Sequence, residues 1–206
     1  MNIYSSIVIT FCLIFGCILP SGAQTPQEIH KQMHSRLLAN AKNSIDKSVI
    51  EAYIQQELQG KFQDPMYEGL SDESIAMISD LLDEARSHTG KKYRYGSKGP
   101  NTFDCSGFTG YVFNQFGYNI GTSSRGQYLL GDEISCSNLR PGDLVFFTSP
   151  RSGKNVGHVG IVVSADHDKQ TFTFIHASIS NGIKITESTD PYYVKRYIGA
   201  KRIITE

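Results

Sequence analysis

Asp104-Cys105-Ser106-Gly107-Phe108 is the stretch from which this 206-residue chain is read. Asp104 is a good N-cap, and Phe108, Tyr111, Val112 and Phe116 follow it at helical spacing until Gly117 supplies a C′ stop. A helix that opens at Cys105 leaves its first backbone N–H groups unpaired. The positive end of its dipole then favours a thiolate, the form of cysteine that attacks carbonyls. The plainer alternative is a small buried apolar residue at a helix start.

The rest of the chain sets bounds on that choice. Twenty Lys and Arg match 20 Asp and Glu, so formal charge is zero and no nucleic-acid partner is expected. A hydrophobic content of 39% suits one globular domain plus an extension. Residues 1–23 read as an export signal, because the apolar run Ile7 to Leu19 is short for a membrane span and ends at Pro20. Ser21-Gly22-Ala23 offers a cleavage site, whereas Ile14-Phe15-Gly16-Cys17 roughly fits a lipidation motif. Either route delivers the protein to the periplasm or outer cell envelope, with membrane contact only through a lipid on Cys17. Four cysteines then shrink to Cys105 and Cys136, both expected as free thiols, Cys136 without a role.

Residues 24–70 read as a helical extension and linker, with Val49, Ile50, Tyr53, Ile54 and Leu58 on one side of a helix. His30 and His34 are spaced i, i+4, but no further ligand pattern accompanies them, and no metal or cofactor is expected. Residues 71–206 form the main domain. Ser71 caps a helix carrying Ile75, Ile78, Leu81, Leu82 and Ala85, with His88 expected at the surface of its last turn. Thr122 to Gln127 reads as a polar loop. Leu144–Phe147, His158–Val163, Thr171–His176, Ile183–Ile185 and Tyr197–Ile204 read as strands. Helices first and antiparallel strands after predict the α+β class.

The hairpin supplies chemistry. Pairing Val163 with Thr171 sets His158 opposite His176, with Cβ atoms about 4.5–5.5 Å apart. A register error of two residues keeps both on one face, whereas a slip of one separates them. One imidazole would deprotonate Cys105 while the other holds its tautomer. His167, at the turn tip, is expected in solvent. A zinc site of Cys105, His158 and His176 is the sharp rival, with no second Cys or carboxylate pattern behind it.

Five ordered motifs complete the pattern. They are Tyr93-Arg94-Tyr95-Gly96, Phe103 to Phe108, Leu139-Arg140-Pro141-Gly142-Asp143 running into Leu144 to Phe147, Gly157-His158-Val159-Gly160-Ile161, and Phe174 to Ser178. Together they resemble the NlpC family of cell-wall cysteine peptidases, papain-like in fold. Pro191-Tyr192-Tyr193 near the end resembles the Spr-like murein endopeptidases within it. The resemblance implies Cys105 as nucleophile, His158 as base, His176 as orienting residue and Tyr93 beside the oxyanion. It also implies that Asp104 and Ser106 line the substrate cleft, with Ser124 and Arg125 in a loop beside them. The implied activity is hydrolysis of peptide bonds in peptidoglycan stem peptides or crosslinks, the D-Glu–diamino acid bond ahead of the D,D-crosslink, without a cofactor. Ser97 and Gly121-Thr122 depart from the family pattern. A non-catalytic peptidoglycan-binding module is the alternative, whereas a lipid acyltransferase of related fold would place His before Cys. Nothing in the sequence states an oligomeric state.

Overall fold

The structure, a computed structural model, describes residues 65–205. The expected export signal, Cys17, the His30–His34 pair and the helix expected near Ile45–Leu58 lie outside the described residues.

Among the described residues, two longer helices come first. Helix α1 (Asp72–Ser87) starts where Ser71 Oγ accepts the Ser74 N–H at 3.2 Å, and Asp72 and Glu73 place negative charge in its first turn. Its buried stripe is Ile75, Ile78, Leu81, Leu82 and Ala85, joined by Met77. Helix α2 (Cys105–Gln115) is capped by Asp104, and Gly117 ends it at φ 83°, a left-handed conformation that costs glycine nothing. Two one-turn helices follow: α3 (Ser124–Gln127), within the stretch expected as a polar loop, and α4 (Pro191–Val194).

Six strands form one antiparallel sheet: β1 (Asp132–Ile134), β2 (Leu144–Thr148), β3 (Val156–Asp166), β4 (Thr171–Ser178), β5 (Gly182–Glu187) and β6 (Tyr197–Arg202). Their spatial order is β1-β6-β2-β3-β4-β5, so the chain's last strand slots between the first two. Strand alternation sorts the core into two halves. Leu144 and Phe146 face the helices with Val159, Ile161, Phe108, Phe113 and Leu81. Val145 and Phe147 face the other way, with Val162, Phe172, Phe174 and Ala200. Burial of each Phe contributes on the order of 1.5–3 kcal/mol, so the aromatic rings in these two layers carry much of the stability.

The β3–β4 register differs from the expected one by two residues. Ile161 pairs with Ile175 and Val162 with Phe174, then a bulge at Val163 shifts the ladder so that Ser164 pairs with Thr173. The turn closes on the Asp166–Thr171 pair, three residues from the expected Val163–Thr171 pair, and the bulge takes back one of the three. Extending the Ile161–Ile175 register one step sets Gly160, not His158, opposite His176. The two histidines are therefore diagonal neighbours, still on one face as a two-residue error allows.

At the far end of the sheet, Arg202 clasps Asp143 through Nε and Nη2, both at 2.8 Å, and its Nη2 also donates to the Asn138 carbonyl. This bidentate pair ties the Leu139–Asp143 turn to β6.

Candidate active site

Cys105 is the first residue of α2, and the local sequence explains why it stays there. Asp104 Oδ1 accepts the Gly107 N–H at 2.7 Å, while its Oδ2 accepts the Gly96 N–H at 2.9 Å. One carboxylate thus caps the helix and pins the Tyr93–Gly96 loop beside it. Phe103 strengthens that seam by donating to the Lys92 carbonyl and accepting from the Arg94 N–H. Tyr93 is thereby held half-buried within electrostatic reach of Cys105. Ser106 donates to the Thr122 carbonyl at 3.0 Å and to Asp104 at 3.3 Å, so both proposed cleft residues are engaged within the fold.

The thiol departs from expectation. Burial pushes its pKa up to about 11, and the Asp104 charge adds to the rise, while the N–H groups of Ser106, Val159 and Cys105 itself oppose it. Desolvation outweighs the helix start, so the resting group is a thiol and not the thiolate that dipole reasoning favours. Tyr93 is likewise pushed up to about 12 by burial first and then by Cys105, and remains a phenol.

The histidines meet as expected in kind. His158 Nε2 lies 3.0 Å from His176 Nδ1, with ring planes at 86°. His158 is half-buried, whereas His176 is fully enclosed, stacked on Phe174 with 4.8 Å between ring centroids. Both resist protonation: burial pushes His158 down to about 4, and burial, then His158 and Lys184, push His176 down to about 2. The two halves of the site converge on β3, where the Val159 N–H that opposes the rise of the Cys105 pKa belongs to the residue after His158.

Three residues here escape sequence reasoning. Thr186 Oγ1 lies 2.9 Å from His176 Nε2, and the Tyr193 hydroxyl lies 3.4 Å from the same nitrogen. Tyr193 also packs edge-on against Phe147 and Phe174 and lies within electrostatic reach of Cys105. Its sequence signal was Asp190-Pro191, which starts α4 through the Asp190 cap on the Tyr192 N–H. Gln127, fully buried, donates to the Ser106 and Gly121 carbonyls and accepts from Thr109, so it welds α3 to α2. Ser124 opens α3, and Arg125 reaches across to donate to the Val156 carbonyl at 3.2 Å, two residues before His158.

Two other histidines need correction. His88 is buried at 4% exposure, caged by Phe103, Phe108 and Tyr111, with Glu84 on Nε2 and Lys91 on Nδ1. The apolar rings of α2 and its lead-in cover the helix end that sequence placed at the surface. His167 is half-buried, with Nε2 donating to the Leu139 carbonyl at 2.7 Å. Cys136 is a free thiol, as expected, in a short 3-10 turn. Among the described residues no group of three His, Cys, Asp or Glu gathers as metal ligands, and His158 Nε2 and His176 Nδ1 are spent on each other.

Residues 90–202, more than half of the chain, match the NlpC/P60 family. The chain is 50% identical over 93 residues to a probable endopeptidase p60 of Listeria grayi, covering 45% of this chain and 18% of that protein. It is 38% identical over 133 residues to the Escherichia coli K12 protein named murein DD-endopeptidase MepS/murein LD-carboxypeptidase, covering 64% of this chain and 66% of that one. Among solved structures, an NlpC/P60 family protein from Bacillus cereus superposes with a TM-score of 0.56 at 26% identity, over 62% of this chain and 40% of that one. A cysteine at a helix start, a histidine pair on the adjoining sheet and a matched segment spanning both have one common source: the chain belongs to the NlpC/P60 family.

Proposed function

We propose that this chain is a cysteine endopeptidase that hydrolyses peptide bonds in peptidoglycan. The observation that carries the reading is the 3.0 Å hydrogen bond between His158 Nε2 and His176 Nδ1, on the strand that meets the helix start holding Cys105. With Nε2 committed, Nδ1 of His158 is the nitrogen left to act as base.

Thiol and imidazole are both neutral at rest, with the thiol near 11 and His158 near 4. The proton therefore leaves sulfur as the bond to the scissile carbonyl forms, and does not leave beforehand. Attack makes an oxyanion, for which the helix-start N–H groups and the Tyr93 phenol are the donors at hand. The His158 imidazolium then protonates the leaving amine, and water releases the acyl-enzyme with the same residue as base. Asp104 holds this frame as cap and loop anchor, with Ser106 beside it. Ser124 and Arg125 on α3 form the neighbouring wall of the cleft.

The D-Glu–diamino acid bond is the first candidate for cleavage, as the resemblance read from the sequence motifs implies. The D,D-crosslink is the second reading, favoured by the name of the Escherichia coli relative, of which the chain covers 66%. Purified sacculi incubated with the protein and resolved by mass spectrometry distinguish the two by the new termini. Cys105→Ala should leave the fold intact and release no muropeptide; hydrolysis by that variant would overturn the mechanism.

A further inference from the structure

His176 lies at the centre of a diagonal that crosses three strands. On β3, His158 sits two residues from the position opposite His176; on β5, Lys184 is the direct partner of His176 and Thr186 is two residues beyond. Side chains two residues off register on one sheet face lie within reach of one another when long enough. Here they touch: His158 Nε2 to His176 Nδ1 at 3.0 Å, then His176 Nε2 to Thr186 Oγ1 at 2.9 Å. His176 is wholly enclosed and Thr186 is 7% exposed, so the inner end of this chain is almost closed to solvent.

Each ring nitrogen in such a chain fixes the next. For His158 to act as base at Nδ1, its Nε2 must carry the hydrogen and donate to His176 Nδ1. His176 must then carry its own hydrogen on Nε2, which requires an acceptor there. Two groups stand within reach, the Thr186 hydroxyl at 2.9 Å and the Tyr193 phenol at 3.4 Å. Only the first lies within the ordinary range for N–H···O. We propose that Thr186 is the positioning residue that sets the tautomer of both histidines, by accepting the Nε2–H of His176. The inference rests on the reading of Cys105 as nucleophile and His158 as base.

The chain runs the other way when the acceptor is lost. Without the Thr186 hydroxyl, His176 Nε2 is best satisfied by accepting from the Tyr193 hydroxyl. Its hydrogen then moves to Nδ1 and points at His158 Nε2. His158 must accept there and carry its own hydrogen on Nδ1, the nitrogen that should be free. A charge-free hydroxyl at the end of the chain thus decides whether a base exists at its beginning. Burial, then His158 and Lys184 (paired directly opposite), disfavour a charge on the His176 ring, so the proton taken from Cys105 stays on His158, where the leaving amine can receive it.

The test compares Thr186→Val, which keeps the shape and removes the hydroxyl, with Thr186→Ser, which keeps the hydroxyl. Thr186→Val should lower kcat about 10- to 100-fold, by analogy with loss of an outer hydrogen-bond partner from a metal-binding histidine, with KM unchanged. Thr186→Ser should restore most of that loss. In the Cys105→Ala background, imidazole nitrogen NMR shifts should report Nε2–H on both rings, and Thr186→Val should move both to Nδ1–H. If Val disturbs packing, Thr186→Ala removes the hydroxyl without adding bulk and is read by the same shifts. Unchanged tautomers in the hydroxyl-free variant, or failure of Ser to rescue, overturn the assignment. The NMR readout needs no turnover. A wild-type protein that digests no peptidoglycan yet shows the tautomer shift would therefore refute the proposed reaction and leave Thr186 as assigned.

Discussion

Asp104 performs two jobs with one carboxylate, and the jobs can be separated. Its Oδ1 caps α2 through the Gly107 N–H at 2.7 Å, and its Oδ2 holds the Tyr93 loop through the Gly96 N–H at 2.9 Å. Loss of an N-cap costs about 1 kcal/mol, and loss of a solvent-accessible hydrogen bond such as the Gly96 contact costs about 1 more. Asp104→Ala should therefore destabilise the protein by about 2 kcal/mol, which lowers Tm by about 4–8 °C in a chain of this size. Asp104→Asn keeps an acceptor for Gly107 but turns an amide toward Gly96, so about half of that loss is expected. Both variants also remove the negative charge that helps to raise the Cys105 pKa, and the thiol becomes more acidic. Calorimetry gives the first quantity, and the iodoacetamide labelling rate at pH 9 gives the second. Faster labelling in Asn as well as Ala assigns the effect to charge and not to local opening. A Tm within about 1 °C of wild type for Asp104→Ala would refute the structural half. Labelling that is unchanged or slower in both variants would refute the electrostatic half.

Three further outcomes follow from the same geometry. A base held near pKa 4 is neutral above that value, so kcat/KM should be flat through neutrality and fall only as pH drops through about 4. A limb near 6.5 would mean an ordinary, solvated histidine. Folded His158 and His176 resist protons that the unfolded chain accepts below its ordinary 6.5. Stability should thus decline as pH falls from 6.5 toward 4, and decline less in His176→Asn, as thermal melts at pH 7 and pH 5 would measure. Gly107→Ala drives a Cβ into the Ser97 carbonyl and to 3.1 Å from Lys98 Cα, backbone that cannot rotate away. It should cost about 1–3 kcal/mol and lower kcat by moving the Tyr93 loop, and a variant with wild-type melting and turnover would contradict the seam described between them.

What sequence conveyed was local. The helix start at Cys105, its Asp104 cap, the Gly117 stop and five strands read from short apolar runs all follow from patterns a few residues long. Contacts between distant segments were less legible. The hairpin closes on Asp166–Thr171 and not Val163–Thr171, three residues off, and the bulge at Val163 takes back one, so the net two-residue difference leaves the histidines on one face. Strand β1 is three residues long, exposed at Asp132 and Glu133, and paired only with β6, so it carries no apolar alternation to betray it. His88 was misplaced because a helix C-terminus favours a cation, while the rings that enclose it come from 15 and more residues further along the chain. The Cys105 thiol was misjudged in the same way, since the helix start is visible in sequence and the burial that outweighs it is not.

That burial has a bearing on durability. With a pKa near 11, about one Cys105 in 10⁴ is ionised at pH 7, compared with a few per cent of ordinary cysteines. Peroxides and disulfides react with the ionised sulfur, so the resting protein presents them almost nothing to attack. On the proposed function, such a protein works where oxidants are met without the reducing systems of the cytosol. On the proposed mechanism the sulfur reacts only while a carbonyl and a correctly tautomerised imidazole share its pocket, and it lies chemically dormant between turnovers.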